Sequence, residues 1–331
     1  MSYRGSKVLI TGADGFIGSH LAEALARQGA DVTALCQYNS FDSHGWLDGT
    51  EMALRLVRGD VRDPAFIRRL AQGQEIVFHL AALIAIPHSY VAAQSYVETN
   101  ILGTLNVLEA CREAGVGRMV QTSTSEVYGS AITTPITEDH RLQGQSPYSA
   151  SKIGADMMAE AFARSFDLPV VILRPFNTFG PRQSERAVIP TVIRQMLDPA
   201  CPEVRVGDLT TVRDFTFVDD TVAAFMAAGK APSIAFGTPY NAGSGKAVTV
   251  GEMVDLAASL AGCAKPITQE TGRFRPCNSE VLTLLADASR LAATAGWRPR
   301  VDLAEGLRRT IAWWRIRLAE RLVRQDSAFM T

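Results

Sequence analysis

A tyrosine and a lysine that could act on the same proton stand four residues apart, at Tyr148 and Lys152. On a helix, residues at this spacing lie on one face, one above the other. A free tyrosine has a pKa of about 10 and is a poor base at neutral pH, but a neighbouring ammonium favours the phenolate. Pro147 is typical of a helix start. The pair indicates general-base chemistry on a hydroxyl group. A surface side-chain pair has the same spacing.

Four hydroxyl residues, at positions 122–125, and the carboxylate of Glu126 stand at the end of the β-branched run 118–122. If this run is a strand of a parallel sheet, its carboxyl end borders the ligand site. Thr124 could then hydrogen-bond a hydroxyl that is being oxidised, and Glu126 could act at the adjacent carbon. A Ser/Thr-rich turn is the structural alternative. The predicted catalytic residues are Thr124, Ser125, Glu126, Tyr148 and Lys152.

Three glycines with GxxGxxG spacing lie between a predicted strand at 7–11 and a predicted helix at 16–28. Glycine permits a positive φ in such a turn and lets the backbone approach a pyrophosphate. The helix N-terminus offers unpaired N–H groups and a favourable dipole to the anion. In the first strand–helix turn, this pattern predicts a dinucleotide site. Its predicted contacts are Gly12, Gly15, Phe16, Ile17 and Gly18.

The end of the second predicted strand, 31–35, lacks the Asp or Glu that commonly holds the adenosine ribose. The ribose contact therefore falls to Gln37, Asn39 and Ser40. No Arg or Lys is offered there to a 2′-phosphate, which favours NAD but does not exclude NADP. Asp60, beside Val61 after the third strand, could lie near the adenine amino group, or it could cap a helix.

These groups require a sheet whose strand ends meet at one edge. Short β-branched runs alternate with helical stretches through the first half of the chain, which predicts βαβ units and a doubly wound parallel (Rossmann) sheet. The six predicted strands are 7–11, 31–35, 54–58, 75–79, 118–122 and 170–173. We expect a dinucleotide-binding domain over 1–175, to which 212–230 returns, and a smaller α+β substrate domain over 176–331. Its predicted strands are 204–206, 240–242 and 267–269.

Composition excludes several classes of protein. The 331 residues carry a formal net charge of −1 at pH 7, without the basic footprint of a nucleic-acid binder. No apolar run approaches the ~18 residues of a membrane span, and no signal-peptide core is present, so we expect a soluble, cytoplasmic protein. The five cysteines have no CxxC spacing and the five histidines form no ligand pattern, so no metal site is predicted.

Five segments together resemble an extended short-chain dehydrogenase/reductase: TGADGFIG (11–18), HLAA (79–82), TSTSEVYG (122–129), YSASK (148–152) and RPFNTFGPRQ (174–183). Within that family, the chain most resembles the nucleotide-sugar 4,6-dehydratases of legionaminic-acid-type and N-acetylglucosamine-modifying pathways. The segments similar to that subgroup are QYNSFDSHGWLD (37–48), HLAALIAIPHSY (79–90) and SERAVIP (184–190).

The resemblance implies a cycle on bound NAD, without its net consumption, that converts a UDP- or GDP-N-acetylglucosamine to its 4-keto-6-deoxy form. Tyr148 would remove the C4 hydroxyl proton with help from Thr124 and Lys152, and Glu126 would remove the C5 proton. Many 4,6-dehydratases have an Asp general acid where this chain has Ser125. The Thr-Ser-Glu version in this chain is similar to that of GDP-mannose dehydratases. This similarity implies that Glu126 could shuttle the proton.

The resemblance also assigns binding residues and an assembly. It adds cofactor contacts at Leu80, Ala81, Ala82 and Thr99, and substrate contacts at Asn177, Arg182, Arg213 and Arg275. Related enzymes often form homodimers through two long helices per subunit, here 102–114 and 149–166. A UDP-glucuronate decarboxylase or a nucleotide-sugar 4-epimerase on the same fold stays open, as does a non-catalytic dinucleotide-sensing scaffold. A scaffold would not need Thr124, Glu126, Tyr148 and Lys152 together, so their joint presence argues against that alternative.

Overall fold

Seven parallel strands form the central sheet of the computed structural model, which describes residues 2–273 and 280–322. In chain order, the strands of the described ranges are β1 (Lys7–Thr11), β2 (Asp31–Gln37), β3 (Leu54–Gly59), β4 (Ile76–His79), β5 (Arg118–Thr122), β6 (Val170–Pro175), β7 (Asn177–Phe179), β8 (Val204–Val206), β9 (Val212–Phe217), β10 (Pro239–Ala242), β11 (Ala247–Thr249) and β12 (Ile267–Gln269). The sheet order is β3-β2-β1-β4-β5-β6-β10. Because the order reverses between β1 and β4, the carboxyl ends of these two strands form the crevice where open α/β sheets bind ligands.

Helices cover both faces of this sheet. The α-helices of the described ranges are α1 (Phe16–Arg27), α2 (Pro64–Ala71), α3 (Ile86–Val91), α4 (Ala93–Tyr96), α5 (Gly103–Ala114), α6 (Pro147–Phe166), α7 (Val188–Leu197), α8 (Val218–Lys230), α9 (Val250–Ala261), α10 (Ser289–Ala295) and α11 (Leu303–Ala319). Helices α1 and α8 pack together on one face, and α2, α5 and α6 pack on the other. Strand β1 is apolar on both sides, since Ile10 belongs to the first core and Leu9 to the second.

The predicted doubly wound parallel sheet is confirmed. Six strands were predicted for it, and the sheet has a seventh, β10, which the prediction placed in the smaller domain. The sequence of β10 is too short to show its partner, whereas the structure pairs Tyr240 with Leu173 of β6 at the sheet edge. The segment 212–230 divides: α8 packs on the central sheet, and β9 pairs with β7 and β11.

The remaining elements lie beyond the carboxyl edge of the sheet. Strands β11, β9 and β7 form a three-stranded sheet, and β12 pairs with β8. Helices α7, α9 and α11 pack against one another and bury Ile193, Val254 and Trp314 in a core continuous with that of the first face. In the described part of the chain, no helix is long and apolar enough to cross a membrane.

Candidate active site

A cavity of about 1210 Å³ lies at the carboxyl edge of the sheet and is lined from both halves of the chain. Its wall includes the glycine turn, the loop after β4, the end of β5 and the first turns of α6. The second half of the chain contributes α7, the segment 200–205 and part of α11. The cavity therefore brings most of the predicted cofactor, catalytic and substrate residues together.

The glycine turn has the geometry that an approaching diphosphate requires. Gly12 has φ +67°, and a Cβ at this position would lie 2.7 Å from the backbone nitrogen of Ala81. A Cβ at Gly18 would lie 2.1 Å from the carbonyl oxygen of Gly12, so the helix packs on the turn without room for a side chain. Helix α1 begins with no side-chain cap and no acidic residue in its first turn. Its first N–H groups can therefore bind an anion.

A buried histidine fixes the loop after β4. Thr104 donates its hydroxyl proton to the Asn100 carbonyl, so its oxygen accepts from His79 Nε2 at 3.1 Å. His79 Nδ1 then accepts from the Thr11 hydroxyl at 2.7 Å. The same Thr11 oxygen accepts from the backbone N–H of Ala81 at 3.1 Å. Burial lowers the pKa of His79 to about 3, so the ring is neutral. His79 had been identified only as part of the motif HLAA (79–82), and no role had been predicted for Thr11 or Thr104.

Tyr148 and Lys152 lie on the first turns of α6 and face the cavity. Ser146 and Ser149 cap this helix reciprocally, which fixes where it begins. The Tyr148 phenol is hydrogen-bonded to the Thr124 side chain, and burial raises its pKa. The Lys152 ammonium donates to the carbonyl oxygen of Thr122 at 2.5 Å, and burial lowers its pKa to about 8. Burial therefore disfavours both charges of a phenolate–ammonium pair.

Thr124 lies two residues after the end of β5 and caps the short helix Ser125–Tyr128. Its side-chain oxygen accepts from the backbone N–H of Glu126 at 3.2 Å. Thr124, Ser125 and Glu126 all line the cavity with Tyr148 and Lys152. The five predicted catalytic residues thus share one wall. Which step each performs stays a prediction.

A buried polar network supports this wall from behind. Asp156, one turn of α6 beyond Lys152, accepts from Arg174 Nε and Nη2 at 3.1 Å each. The same oxygen accepts from the Ser123 hydroxyl at 2.7 Å. Arg174 also donates to the Tyr128 phenol at 3.1 Å, and that phenol donates to Asn241 of β10 at 2.6 Å. Strands β5, β6 and β10 and helix α6 are therefore tied together next to Thr124.

Asn100 is a second positioning residue without a sequence-based prediction. It lies in a π-helical segment, Val97–Leu102, between α4 and α5. Its amide accepts from the Leu83 backbone N–H at 2.8 Å and donates to the Leu83 carbonyl and the Ser151 hydroxyl at 2.9 Å each. The amide therefore joins the loop after β4 to α6. The sequence gives no periodic signal for a π-helical turn.

The predicted cofactor contacts divide into two groups. Those that line the cavity are Gly12, Gly15, Phe16, Ile17, Gly18, Gln37, Asp60, Val61, Leu80, Ala81, Ala82, Thr99, Tyr148 and Lys152. The structure places Asn39 and Ser40 outside it. The Asn39 side chain donates to the carbonyls of Gln37 and Ser43 and accepts from the backbone N–H groups of Phe41 and Ser43. Asn39 therefore closes the loop after β2.

The predicted substrate contacts also divide. Asn177 and Arg182 line the cavity, and Arg182 donates to Glu23 at 3.0 Å. Arg213 is buried and is not among the residues that line the cavity; its guanidinium donates to Glu280 at 2.9 Å and to the Val212 and Leu282 carbonyls, and its substrate contact stays a prediction. Arg275 lies outside the described residues. Further arginines line the cavity without having been predicted as substrate contacts: Arg62, Arg186, Arg194, Arg205, Arg273 and Arg317.

The doubly wound sheet, the glycine turn and the Tyr148–Lys152 pair define the class of extended short-chain dehydrogenases/reductases. A family model described as GDP-mannose 4,6 dehydratase matches residues 9–310, and the chain belongs to this family. Among the described residues, no group of three or more His, Cys, Asp or Glu could hold a metal ion.

The similar proteins are nucleotide-sugar dehydratases and epimerases. A dTDP-glucose 4,6-dehydratase from Streptomyces griseus is 36% identical over 321 residues, which cover 93% of each chain. A UDP-glucose 4-epimerase from Mycolicibacterium smegmatis is 31% identical over 316 residues, which cover 93% of this chain and 98% of the relative. The solved structure of MoeE5 in complex with UDP-glucuronic acid and NAD has 34% identity and a TM-score of 0.82, covering 96% of this chain and 100% of that one.

Proposed function

We propose that the protein is an NAD-dependent nucleotide-sugar 4,6-dehydratase that acts on a UDP- or GDP-linked N-acetylglucosamine. The observation that carries this proposal is the shared cavity wall of Thr124, Glu126, Tyr148 and Lys152, next to the glycine turn. The family match and the dehydratase from Streptomyces griseus support the reaction class. The choice of N-acetylglucosamine rests on the sequence segments 37–48, 79–90 and 184–190.

The residues of the cavity fit NAD. The glycine turn leaves no room for a Cβ at Gly12 or Gly18, and the first N–H groups of α1 can hold a diphosphate. Structurally similar MoeE5 was solved with NAD. When bound, NAD supplies a hydride acceptor that later returns the hydride.

The side chains of the wall then manage the protons. Tyr148, hydrogen-bonded to Thr124, takes the C4 hydroxyl proton as the C4 hydride leaves, and the Lys152 ammonium favours the phenolate. The resulting C4 ketone acidifies C5, so Glu126 can take the C5 proton and pass it to the C6 hydroxyl, which leaves as water. The hydride returns to C6, a solvent proton restores C5, and Tyr148 releases its proton. The sum is loss of one water.

Glu126 is the residue that favours dehydration over epimerisation. Inversion at C4 needs oxidation and reduction at one carbon and no base for C5, whereas elimination of water needs that base. A decarboxylase or an epimerase, as in the relative from Mycolicibacterium smegmatis, is the alternative reading. The Ser125 side chain carries no carboxyl group, so we assign the proton for the C6 hydroxyl to Glu126.

We also propose that the chain forms a homodimer. Four apolar side chains are exposed on the π-helical segment and on α6, which pack together: Val97 (46% exposed), Leu102 (48%), Met157 (41%) and Phe166 (49%). Large apolar side chains exposed on neighbouring helices favour a protein partner.

The decisive experiment is incubation with UDP-N-acetylglucosamine, GDP-N-acetylglucosamine and UDP-glucuronate in heavy water, followed by mass spectrometry of the products. We expect loss of water from an N-acetylglucosamine nucleotide with one solvent deuterium at C5. Glu126→Gln should abolish that loss, and Glu185→Gln, a carboxylate elsewhere in the cavity wall, should retain it. Loss of CO₂ from UDP-glucuronate alone, or C4 inversion without deuterium at C5, would overturn the dehydratase.

A further inference from the structure

The carboxyl end of β2 carries a carboxylate, but the residue belongs to the glycine turn. β2 ends at Gln37, and residues 36–40 contain no Asp or Glu. The carboxylate of Asp14 instead accepts from the backbone N–H of Gln37 at 3.1 Å and lines the cavity. In open α/β sheets, this strand end is where a carboxylate holds the hydroxyls of the adenosine ribose.

The backbone holds Asp14 in this position from two sides. The chain leaves β1 alongside β2, and the N–H of Ala13 donates to the Leu35 carbonyl at 3.0 Å. From the loop after β2, the N–H of Trp46 donates to the Asp14 carbonyl at 3.1 Å. Gly45 has φ +59°, and a Cβ there would lie 2.6 Å from the same carbonyl oxygen. These contacts fix the backbone of Asp14, and its carboxylate lies partly buried beside the end of β2.

Burial disfavours the charge of Asp14, whereas the N–H of Gln37 and the neighbouring His44 favour it, so further hydrogen-bond donors from a ligand would stabilise it. Burial raises its pKa, so desolvation opposes the carboxylate. A carboxylate beside a phosphate-binding turn also repels a diphosphate. Nearby cations already bind other carboxylates: Arg62 binds Asp60 at 2.6 Å, and Arg58 binds Asp42. A ribose diol would supply two donors to Asp14, whereas a 2′-phosphate would place like charges together.

We infer that Asp14 accepts hydrogen bonds from the adenosine ribose hydroxyls and makes the protein select NAD over NADP. This inference rests on the NAD site of the proposed function and goes beyond it, because it assigns cofactor choice to one residue of the glycine turn. It replaces Asn39 and Ser40 as the ribose contacts.

Calorimetric titration of the full-length, nucleotide-free chain with NAD and with NADP tests the inference. The wild type should bind NAD more tightly than NADP. Asp14→Asn keeps an acceptor for the Gln37 N–H but loses the charge. The variant should bind NAD about five- to tenfold more weakly than the wild type does. Its ratio of NAD to NADP affinity should fall at least about tenfold. Asp31→Asn removes the same charge at the opposite, exposed end of β2 and should change neither value.

A cofactor analogue tests the contact between Asp14 and the ribose 2′-hydroxyl in the wild-type protein itself, so this part of the test does not depend on whether a variant folds. NAD lacking the adenosine 2′-hydroxyl should bind the wild type about five- to tenfold more weakly than NAD. Asp14→Asn should no longer distinguish the two ligands. The inference would be overturned if the wild type bound NAD and NADP with equal affinity. It would also be overturned if the ratio of NAD to NADP affinity in Asp14→Asn stayed within twofold of the wild-type ratio. A protein that binds NAD but turns over no nucleotide sugar would overturn only the proposed reaction.

Discussion

Replacing Asp156 by alanine should cost about 3–5 kcal/mol of unfolding free energy, because it leaves a buried guanidinium without its carboxylate. Asp156 is fully buried, and the side chain of Arg174 is 2% exposed. The change removes both 3.1 Å hydrogen bonds from Arg174 and the 2.7 Å bond from Ser123. A typical domain has a total stability of about 5–15 kcal/mol, so the loss is a large fraction.

The matched control lies on the same helix. Arg164 and Glu160 form an i,i+4 pair on α6 at 3.2 Å, with the Arg164 side chain 76% exposed. Such a pair contributes about 0.3–0.5 kcal/mol, so Arg164→Ala should shift the urea midpoint only slightly. Urea unfolding followed by circular dichroism compares the two variants directly, provided that the slope with urea stays constant.

A double variant separates lost charge pairing from lost packing. Asp156→Leu combined with Arg174→Met removes both charges and should be less destabilised than the sum of the two single variants, since neither change then leaves an unpaired buried charge. If Asp156→Ala costs less than about 1 kcal/mol, or if the single effects simply add, the guanidinium is hydrated and the reasoning from burial is refuted.

Two further predictions concern the pair on α6. Tyr148→Phe should bind NAD with an unchanged Kd, while turnover falls at least about a hundredfold; full turnover would remove Tyr148 from the mechanism. Lys152 has a pKa of about 8 in the folded chain, below its value in the unfolded chain, so the unfolded state binds more protons above pH 8. Lys152 should therefore stabilise the wild type relative to Lys152→Met by about 2 kcal/mol more at pH 9.5 than at pH 7.5, while the buried thiols Cys36 and Cys111, whose pKa burial raises, affect both proteins alike. Urea midpoints that change with pH equally in both proteins would contradict the assignment.

The sequence predicts the catalytic wall well because its residues lie on regular elements. The helix predicted over 147–166 agrees with α6, and strand 118–122 agrees with β5. Once a parallel sheet is inferred, its carboxyl edge follows from topology, and Thr124 and Tyr148 must meet there. Local propensity and hydrophobic period are sufficient for this part of the site.

The adenosine end could not be predicted in the same way. A rule based on distance along the chain places the ribose contact after β2, which led to Gln37, Asn39 and Ser40, and of these only Gln37 lines the cavity. The carboxylate reaches that place across the sheet, because β1 and β2 are paired with Thr11 opposite Leu35 and the chain continues beside β2 as far as Asp14. Register between strands decides the contact, and register is not a property of either segment alone.

The substrate side depends on tertiary contacts even more strongly. Arg213 was predicted as a substrate contact, and in the structure it pairs with Glu280 and is not among the residues that line the cavity. Arg186, within the segment 184–190, and Arg205, on β8, line the cavity without having been predicted. A guanidinium binds whichever carboxylate or phosphate the fold brings near it, so its residue type alone does not decide between an ion pair and a ligand contact.

One carboxylate connects the stability of the fold with the chemistry of the wall. Burial lowers the pKa of Lys152, and the charge of Asp156, one helical turn away, opposes that shift. Arg174 neutralises the same carboxylate, so a stronger Asp156–Arg174 pair leaves less negative charge to hold the ammonium. In the proposed mechanism, Lys152 must stay sufficiently charged to favour a Tyr148 phenolate, yet a fully compensated Asp156–Arg174 pair would stabilise the fold best. The buried network of Asp156, Arg174 and Ser123 therefore balances the two demands, and changes in it should alter the pH dependence of turnover as well as stability.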